Sequence, residues 1–382
     1  MLKNYIAVAL ALAASLSARQ AFADAPPSLM PGMAGPLAAN AAPWSFDAGE
    51  FGKIYVTGAV SGLGLSQSHP AAVNDHSTGD WSNAQIFMQK PEGIVQFFVQ
   101  GGVYSIPSLG TPYMRAEDIT EKTYNYLPQV FLKIAPTANF SVMAGKLPTL
   151  LGAEYTFTFE NLNIERGLLW NQTNAVTRGV QANYTSGPLS FALSWNDGYY
   201  SNRYNWLTGS AAWTINAQNT LTFIGGGNLG HTAHADFATP LAQNNGELFD
   251  IIYTWTSGPW MLSPGLQYNH VGEDTGIGIV GDSSAFGAAV LGKFAFNENW
   301  SLAGRIEYIG SSGDAAGPNI LYGQGSNAWS ATLTPTYQYK TFFSRAEASY
   351  VRADDITAGS AFGSAGNDRS QTRLVFEAGS IF

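Results

Sequence analysis

Residues 329–339 read WSATLTPTYQY. Trp329, Ala331, Leu333, Pro335, Tyr337 and Tyr339 fall on one parity; Ser330, Thr332, Thr334, Thr336 and Gln338 fall on the other. Successive side chains of an extended chain point to opposite faces, so this stretch predicts a strand with one apolar and one polar face. The pattern recurs outward from it. Leu189, Phe191, Leu193 and Trp195 oppose Ser190, Ala192, Ser194 and Asn196. Leu262, Pro264, Leu266 and Tyr268 oppose Ser263, Gly265, Gln267 and Asn269, and Val95, Phe97 and Val99 oppose Gln96, Phe98 and Gln100. Half-apolar segments of about 9–11 residues are what a membrane barrel strand requires.

Alternation alone suits a soluble sandwich equally well. Three further features favour the membrane. The segments pair across very short turns, at Lys90–Gly93, Ala135–Asn139, Thr185–Pro188, Asn216–Asn219, Ser257–Pro259, Asn297–Asn299 and Tyr339–Thr341, while longer Gly-, Asn- and Asp-rich loops separate the pairs. Aromatics gather at segment ends (Trp206, Tyr253, Trp255, Trp260, Phe294, Phe296, Trp300, Tyr337, Tyr339, Phe342), as in an interfacial girdle. Leu374, Phe376, Ala378, Ser380 and Phe382 form one face of a last strand ending in Phe. An opening strand near 53–65, seven short-turn pairs and a closing strand near 370–382 predict about sixteen strands. The expectation is an all-β, antiparallel transmembrane barrel, with short periplasmic turns and long extracellular loops, of the size that holds an aqueous channel.

Met1 to Ala23 carries Lys3, an apolar run over Ile6–Leu16 and the small-residue site Ala21-Phe22-Ala23, and predicts a secretory signal at 1–23. Residues 24–51, rich in Pro and Ala, predict a loose periplasmic segment or a short plug. The barrel then occupies 52–382. The chain has 18 Lys and Arg against 27 Asp and Glu; removing Lys3 and Arg19 leaves 16 against 27. This acidic balance excludes a basic nucleic-acid binder. Zero cysteines exclude a disulfide scaffold, Cys-ligated zinc and thiol chemistry.

The most informative loop is GKLPTLLGAEYTFTFENLNIERGLLWNQTNAVTRGVQANY, residues 145–184. Folded inward, it would bury Leu150, Leu151, Phe157 and Leu168 and place Glu154, Glu160, Glu165 and Arg166 in the water path; the alternative is a mobile external loop. The stretch resembles the OmpL-like β-barrel porins through Gly145, Lys146, Thr149, Gly152, Glu154, Asn161, Asn163, Arg166, Leu168 and Leu169. The resemblance extends over the whole barrel. It implies a bacterial outer-membrane diffusion channel with no catalytic residues to carry over. From the residues themselves, passage of small hydrophilic solutes and ions is expected without a cofactor, with residues 147–174, folded inward, as the constriction that sets the size limit.

If apolar parity faces lipid, the pore is lined by Lys53, Lys133, Lys293, Arg305, Arg345 and Arg373 and by Asp250, Glu307, Glu347 and Glu377. A Lys or Arg facing lipid at mid-depth costs about 2–4 kcal/mol, which places these groups inside. They would act either as a transverse field on passing solutes or as cross-strand ion pairs bracing the wall. Six positive and four negative wall groups, under acidic loops, leave the ion preference open.

Enzymatic readings are weaker. His231, His234 and Asp236 have a metal-like spacing, but in a loop they read as solvated side chains. No histidine falls mid-strand where a catalytic base would be held rigidly. Gly225-Gly226-Gly227 lacks the following helix of a phosphate loop. The expected partners are outer-membrane lipids, the permeating solutes, and the barrel assembly machinery acting on the strand ending in Phe382, with a homotrimer left open. The competing reading is a plugged surface barrel whose external loops act as adhesin or receptor.

Overall fold

The computed structural model describes residues 29–382; the predicted leader lies outside the described residues. A short strand, β1 (Trp44–Asp47), precedes β2 (Lys53–Gln67). Seven hairpins follow: β3 (Ser77–Lys90) with β4 (Val95–Tyr104), β5 (Gln129–Thr137) with β6 (Phe140–Pro148), β7 (Val176–Ser186) with β8 (Leu189–Asn196), and β9 (Trp206–Asn216) with β10 (Asn219–Asn228). The remaining three are β11 (Glu247–Ser257) with β12 (Trp260–Val271), β13 (Ser283–Ala295) with β14 (Trp300–Gly313), and β15 (Asn327–Tyr339) with β16 (Phe342–Asp354). β17 (Ser370–Ile381) returns to β2 in antiparallel register, from Arg373 opposite Gln67 to Ile381 opposite Ala59. Strands β2–β17 thus form the closed sixteen-stranded barrel that the sequence pattern predicts, and closure leaves none of their edges unpaired.

The seam continues through the last residue. Phe382 N–H donates to Gly58 O at 3.0 Å, and Gly58 N–H donates to Phe382 O at 2.8 Å. The Phe382 ring lies across Gly58, where a β-carbon would stand 2.4 Å from the ring. β1 extends the same edge of β2, pairing Trp44 with Val56 through Asp47 with Lys53.

Turns within hairpins have two to four residues and loops between them nine to 27, so the two ends of the barrel differ as expected. The faces follow parity. Leu333 is 57% exposed on the outer face and the adjacent Thr332 3% exposed on the inner one. Burying apolar groups drives folding in water, but hydrocarbon accepts Leu, Phe and Trp without that penalty, so lipid takes the outer set. At the short-turn end Trp260 packs on Phe294 (4.4 Å between centroids) and Trp300 on Tyr337 (4.9 Å), part of the predicted girdle.

Trp206 departs from that girdle. It is fully buried, edge-on to Tyr199 at 5.5 Å, and its indole N–H donates to Asn244 O at 2.7 Å. The loops after β8 and β10 cover it, which its sequence position at a strand end does not reveal. A second departure is apolar residues on the inner face. Phe87, Phe98, Phe131, Phe343, Val351 and Val375 are buried there, because loop side chains enter the barrel and pack against them.

Candidate functional site

The loop between β6 and β7, residues 149–175 and here termed L3, lies inside the barrel. Its entry is set by Gly145, whose φ of +140° and 2.2 Å approach of a notional β-carbon to Val130 O admit only glycine. Beyond β6 no ladder partner continues, and two short 3-10 turns, Thr158–Glu160 and Leu169–Gln172, fold the loop on itself. Leu151, Phe157, Phe159, Leu162, Ile164 and Leu168 are all buried. Phe159 meets Phe87 of β3 at 5.7 Å, and Ile164 joins Leu63, Leu65 and Val375 of the β2–β17 seam.

The polar half of L3 docks on the charges of β14–β17. Glu154 Oε1 accepts from Arg305 Nη1 at 2.6 Å, and the same nitrogen donates to Glu165 O at 2.8 Å. Glu307 accepts the backbone N–H groups of Leu168 (3.0 Å) and Leu169 (3.3 Å) and the Ser330 hydroxyl (2.7 Å). Glu347 accepts the N–H groups of Ile164 (2.5 Å) and Glu165 (3.0 Å) and the Thr334 hydroxyl (2.7 Å). Arg345 pairs with Glu377, its cross-strand partner, and donates to Thr158 O (2.9 Å) and Asn161 O (3.1 Å). Arg373 Nη1 donates to Glu165 Oε1 and to Ser108 O, both at 2.8 Å.

Three acidic wall residues and three arginines therefore act as pegs for an irregular backbone. An irregular segment carries N–H and C=O groups that need partners once buried. The β14–β17 wall supplies them as carboxylates and guanidinium groups, whose charge-assisted bonds are the stronger kind. Gly167 shows how close the fit is: a β-carbon there would stand 2.0 Å from Glu307 Oε1.

This geometry corrects two sequence-based expectations. Arg305, Glu307, Arg345, Glu347, Arg373 and Glu377 do project inward, but none is more than 3% exposed, and they face L3 instead of open water. Glu154, Glu160, Glu165 and Arg166 were expected in the water path and are buried as well. Arg166 turns back on the loops, donating to Thr156 O, Ile164 O and Pro107 O at 2.9–3.2 Å. Glu160 accepts Phe157 N–H at 2.9 Å; burial pushes its carboxyl up to about 8. The physical reason is mutual satisfaction. Arg305 and Arg373 on the wall neutralise Glu154 and Glu165 on the loop, while backbone groups satisfy Glu160 and Arg166.

Asp250 of β11 also serves L3, accepting Gly152 N–H at 3.0 Å and Gln267 Nε2 at 3.0 Å. A cavity of about 30 Å³ remains beside it, lined by Glu154, Trp170, Gln267 and Glu307 among others. Lys133 and Lys293 project inward, half-buried, and Lys53 lies exposed at the start of β2 with its ammonium 5.4 Å from the Tyr55 ring centre. The ten wall positions thus divide into seven that hold L3 and three lysines that do not.

Thr158 and Gly167, which the sequence reading does not single out, complete the docking, together with Asn163 and Thr334, which it names without a docking role. Asn163 donates to Thr334 Oγ1 at 2.7 Å and Thr158 to Glu377 Oε1 at 2.7 Å. The inward Ser/Thr run of β15 was the available signal for a docking wall. The loop between β4 and β5, residues 105–128, joins L3 through a parallel bridge of Ser108 with Arg166. His234 pairs with Asp236 at 3.0 Å and His231 with Asp274 at 2.5 Å, and no group of three or more metal-type ligands is found among the described residues.

A closed sixteen-stranded barrel with a lipid-compatible outer face and a charge-pegged internal loop defines an integral outer-membrane porin. The family described as "putative beta-barrel porin-2, OmpL-like" matches residues 53–382, and the chain belongs to it. No curated protein matches the sequence significantly. Among solved structures, OmpT of Vibrio cholerae is similar in fold, with a TM-score of 0.59 at 12% identity over 86% of this chain and 98% of that one. An anion-selective porin from Comamonas acidovorans gives 0.59 at 11% identity over 86% and 99%. The outer-membrane channel DcaP of Acinetobacter baumannii gives 0.55 at 13% over 86% and 97%.

Proposed function

We propose that L3 is the constriction of this porin and that small hydrophilic solutes and ions pass beside it without any bond being made or broken. One observation carries the reading: L3 is pegged to β14–β17, while inward polar residues on the opposite side stay half-accessible. These are Asn183 of β7, Ser190 of β8, Ser210 of β9, Thr222 of β10 and Thr254 of β11. Hydroxyls and amides there replace part of a solute's hydration without trapping it, as passive conduction requires. Lys133 and Lys293, which have no ion pair among the described residues, add positive charge to the pore lining.

The test is stepwise conductance of the purified protein in a planar bilayer. The intact chain conducts in discrete steps, and deleting residues 153–164 enlarges them. A folded barrel that stays silent in both forms overturns the reading. It would then favour a plugged surface receptor, which the close packing of L3 with residues 105–110 inside the barrel supports.

The leader at 1–23, a periplasmic segment at 24–51 and the barrel at 52–382 belong to the same proposal, as do recognition of the last strand by the barrel assembly machinery and a homotrimeric assembly. N-terminal sequencing of the exported protein and native electrophoresis test the first and the last.

A further inference from the structure

We infer that residues 29–43 are a strap that gates the short-turn mouth of the barrel. The segment runs over the β15–β3 arc of the mouth, the side on which L3 is docked, and is held to β3 and to β15 by inward glutamines. Gln89 of β3 donates to Met30 O (2.6 Å) and accepts Met30 N–H (2.8 Å). Gln338 of β15 donates to Ala38 O (2.9 Å) and accepts Ala38 N–H (2.7 Å). Both glutamines lie within two residues of a short turn, which places the strap at that end. Midway, Ala34 N–H donates to Glu160 O of L3 at 2.8 Å, and Lys293 Nζ stands 3.0 Å from where a β-carbon on residue 35 would lie. Leu37 is buried in the cluster that holds Ala59, Phe87 and Phe343.

The way the strap is held makes it separable. Ala34 to Glu160 is its one backbone-to-backbone hydrogen bond to the rest of the chain among the described residues. Side chains supply the other contacts, and Pro31, Gly32, Gly35 and Pro36 oppose any regular ladder. β1, immediately after it, is zipped to β2 by register. A segment tethered by a strand at one end and held by side chains elsewhere opens far more easily than the barrel wall. Because the strap touches L3 at Glu160, its release exposes the underside of the constriction.

This inference rests on the porin reading, and one experiment separates the two. Single-channel steps are recorded for the intact chain, a Gln89→Ala/Gln338→Ala variant, a chain lacking residues 29–43, and the chain shortened in L3. The strap variants are expected to conduct with steps at least about twofold larger, or to lose a flicker that the intact chain shows. As the chain has no cysteine, Leu37→Cys reports the position of the strap by maleimide labelling. It is protected in the intact barrel and reactive in the double-glutamine background. Strap variants that conduct like the intact chain overturn the gate while leaving the porin reading in place. Silence in all four forms overturns both.

Discussion

Arg305 on β14 and Glu154 in L3 stand 151 residues apart in sequence and 2.6 Å apart in space, both shielded from solvent. Neither charge is stable in that setting alone. Together with Glu165 O they fix the middle of an irregular loop against a regular wall.

Removing one partner leaves the other as an uncompensated buried charge, which costs about 3–5 kcal/mol. Arg305→Ala is therefore expected to undock L3 while the barrel stays closed. Proteolysis should cut between residues 154 and 168 in the variant and spare the intact protein, with heat-modifiable migration retained in both. Equal protection in the two proteins would show that the pair does not hold the loop.

Gly167→Ala changes no charge but inserts a methyl group where Glu307 Oε1 lies. The carboxylate must withdraw, and the N–H groups of Leu168 and Leu169 lose their acceptor. Each unsatisfied buried donor costs about 1–3 kcal/mol. The variant should show the loop exposure of Arg305→Ala in milder form; hydrogen exchange at 168 and 169 measures it.

Glu160 gives docking a pH dependence. Burial raises its carboxyl from 4.5 to about 8, so the docked loop holds a proton that a released loop gives up. Docking then weakens as pH climbs from about 4.5 to 8, and no further loss comes from this group above that range. Channel noise in the intact protein should grow between about pH 5 and 8 and level off above. Glu160→Gln keeps an acceptor for Phe157 N–H without a charge, and its noise should rise less steeply than that of the intact protein over the same range.

The two faces of the wall answer differently to the same substitution. Leu333→Arg puts a guanidinium into hydrocarbon and should destabilise the barrel by about 2–4 kcal/mol. Ser210→Arg points into the half-accessible inner side and should leave urea stability in vesicles nearly unchanged while reducing conductance. Equal destabilisation would contradict the assignment of faces.

The barrel was legible from sequence because its rule is local. Residues two apart share a face, so WSATLTPTYQY states its own orientation, and a short turn states which strands pair. Lipid on one side and backbone satisfaction on the other leave closure as the outcome. Nine of the ten wall charges were legible as inward for the same reason, Lys53 at the start of β2 being exposed. Their role was not. Thr158 meets Glu377 across 219 positions and Ile164 meets Glu347 across 183, and no local period encodes such distances. Whether a loop stands in water or enters the barrel depends on a balance between its hydration and the partners waiting inside. Those partners are assembled only when β14–β17 come together, so the destination of L3, the burial of its acids and the course of the strap were decided by the tertiary structure.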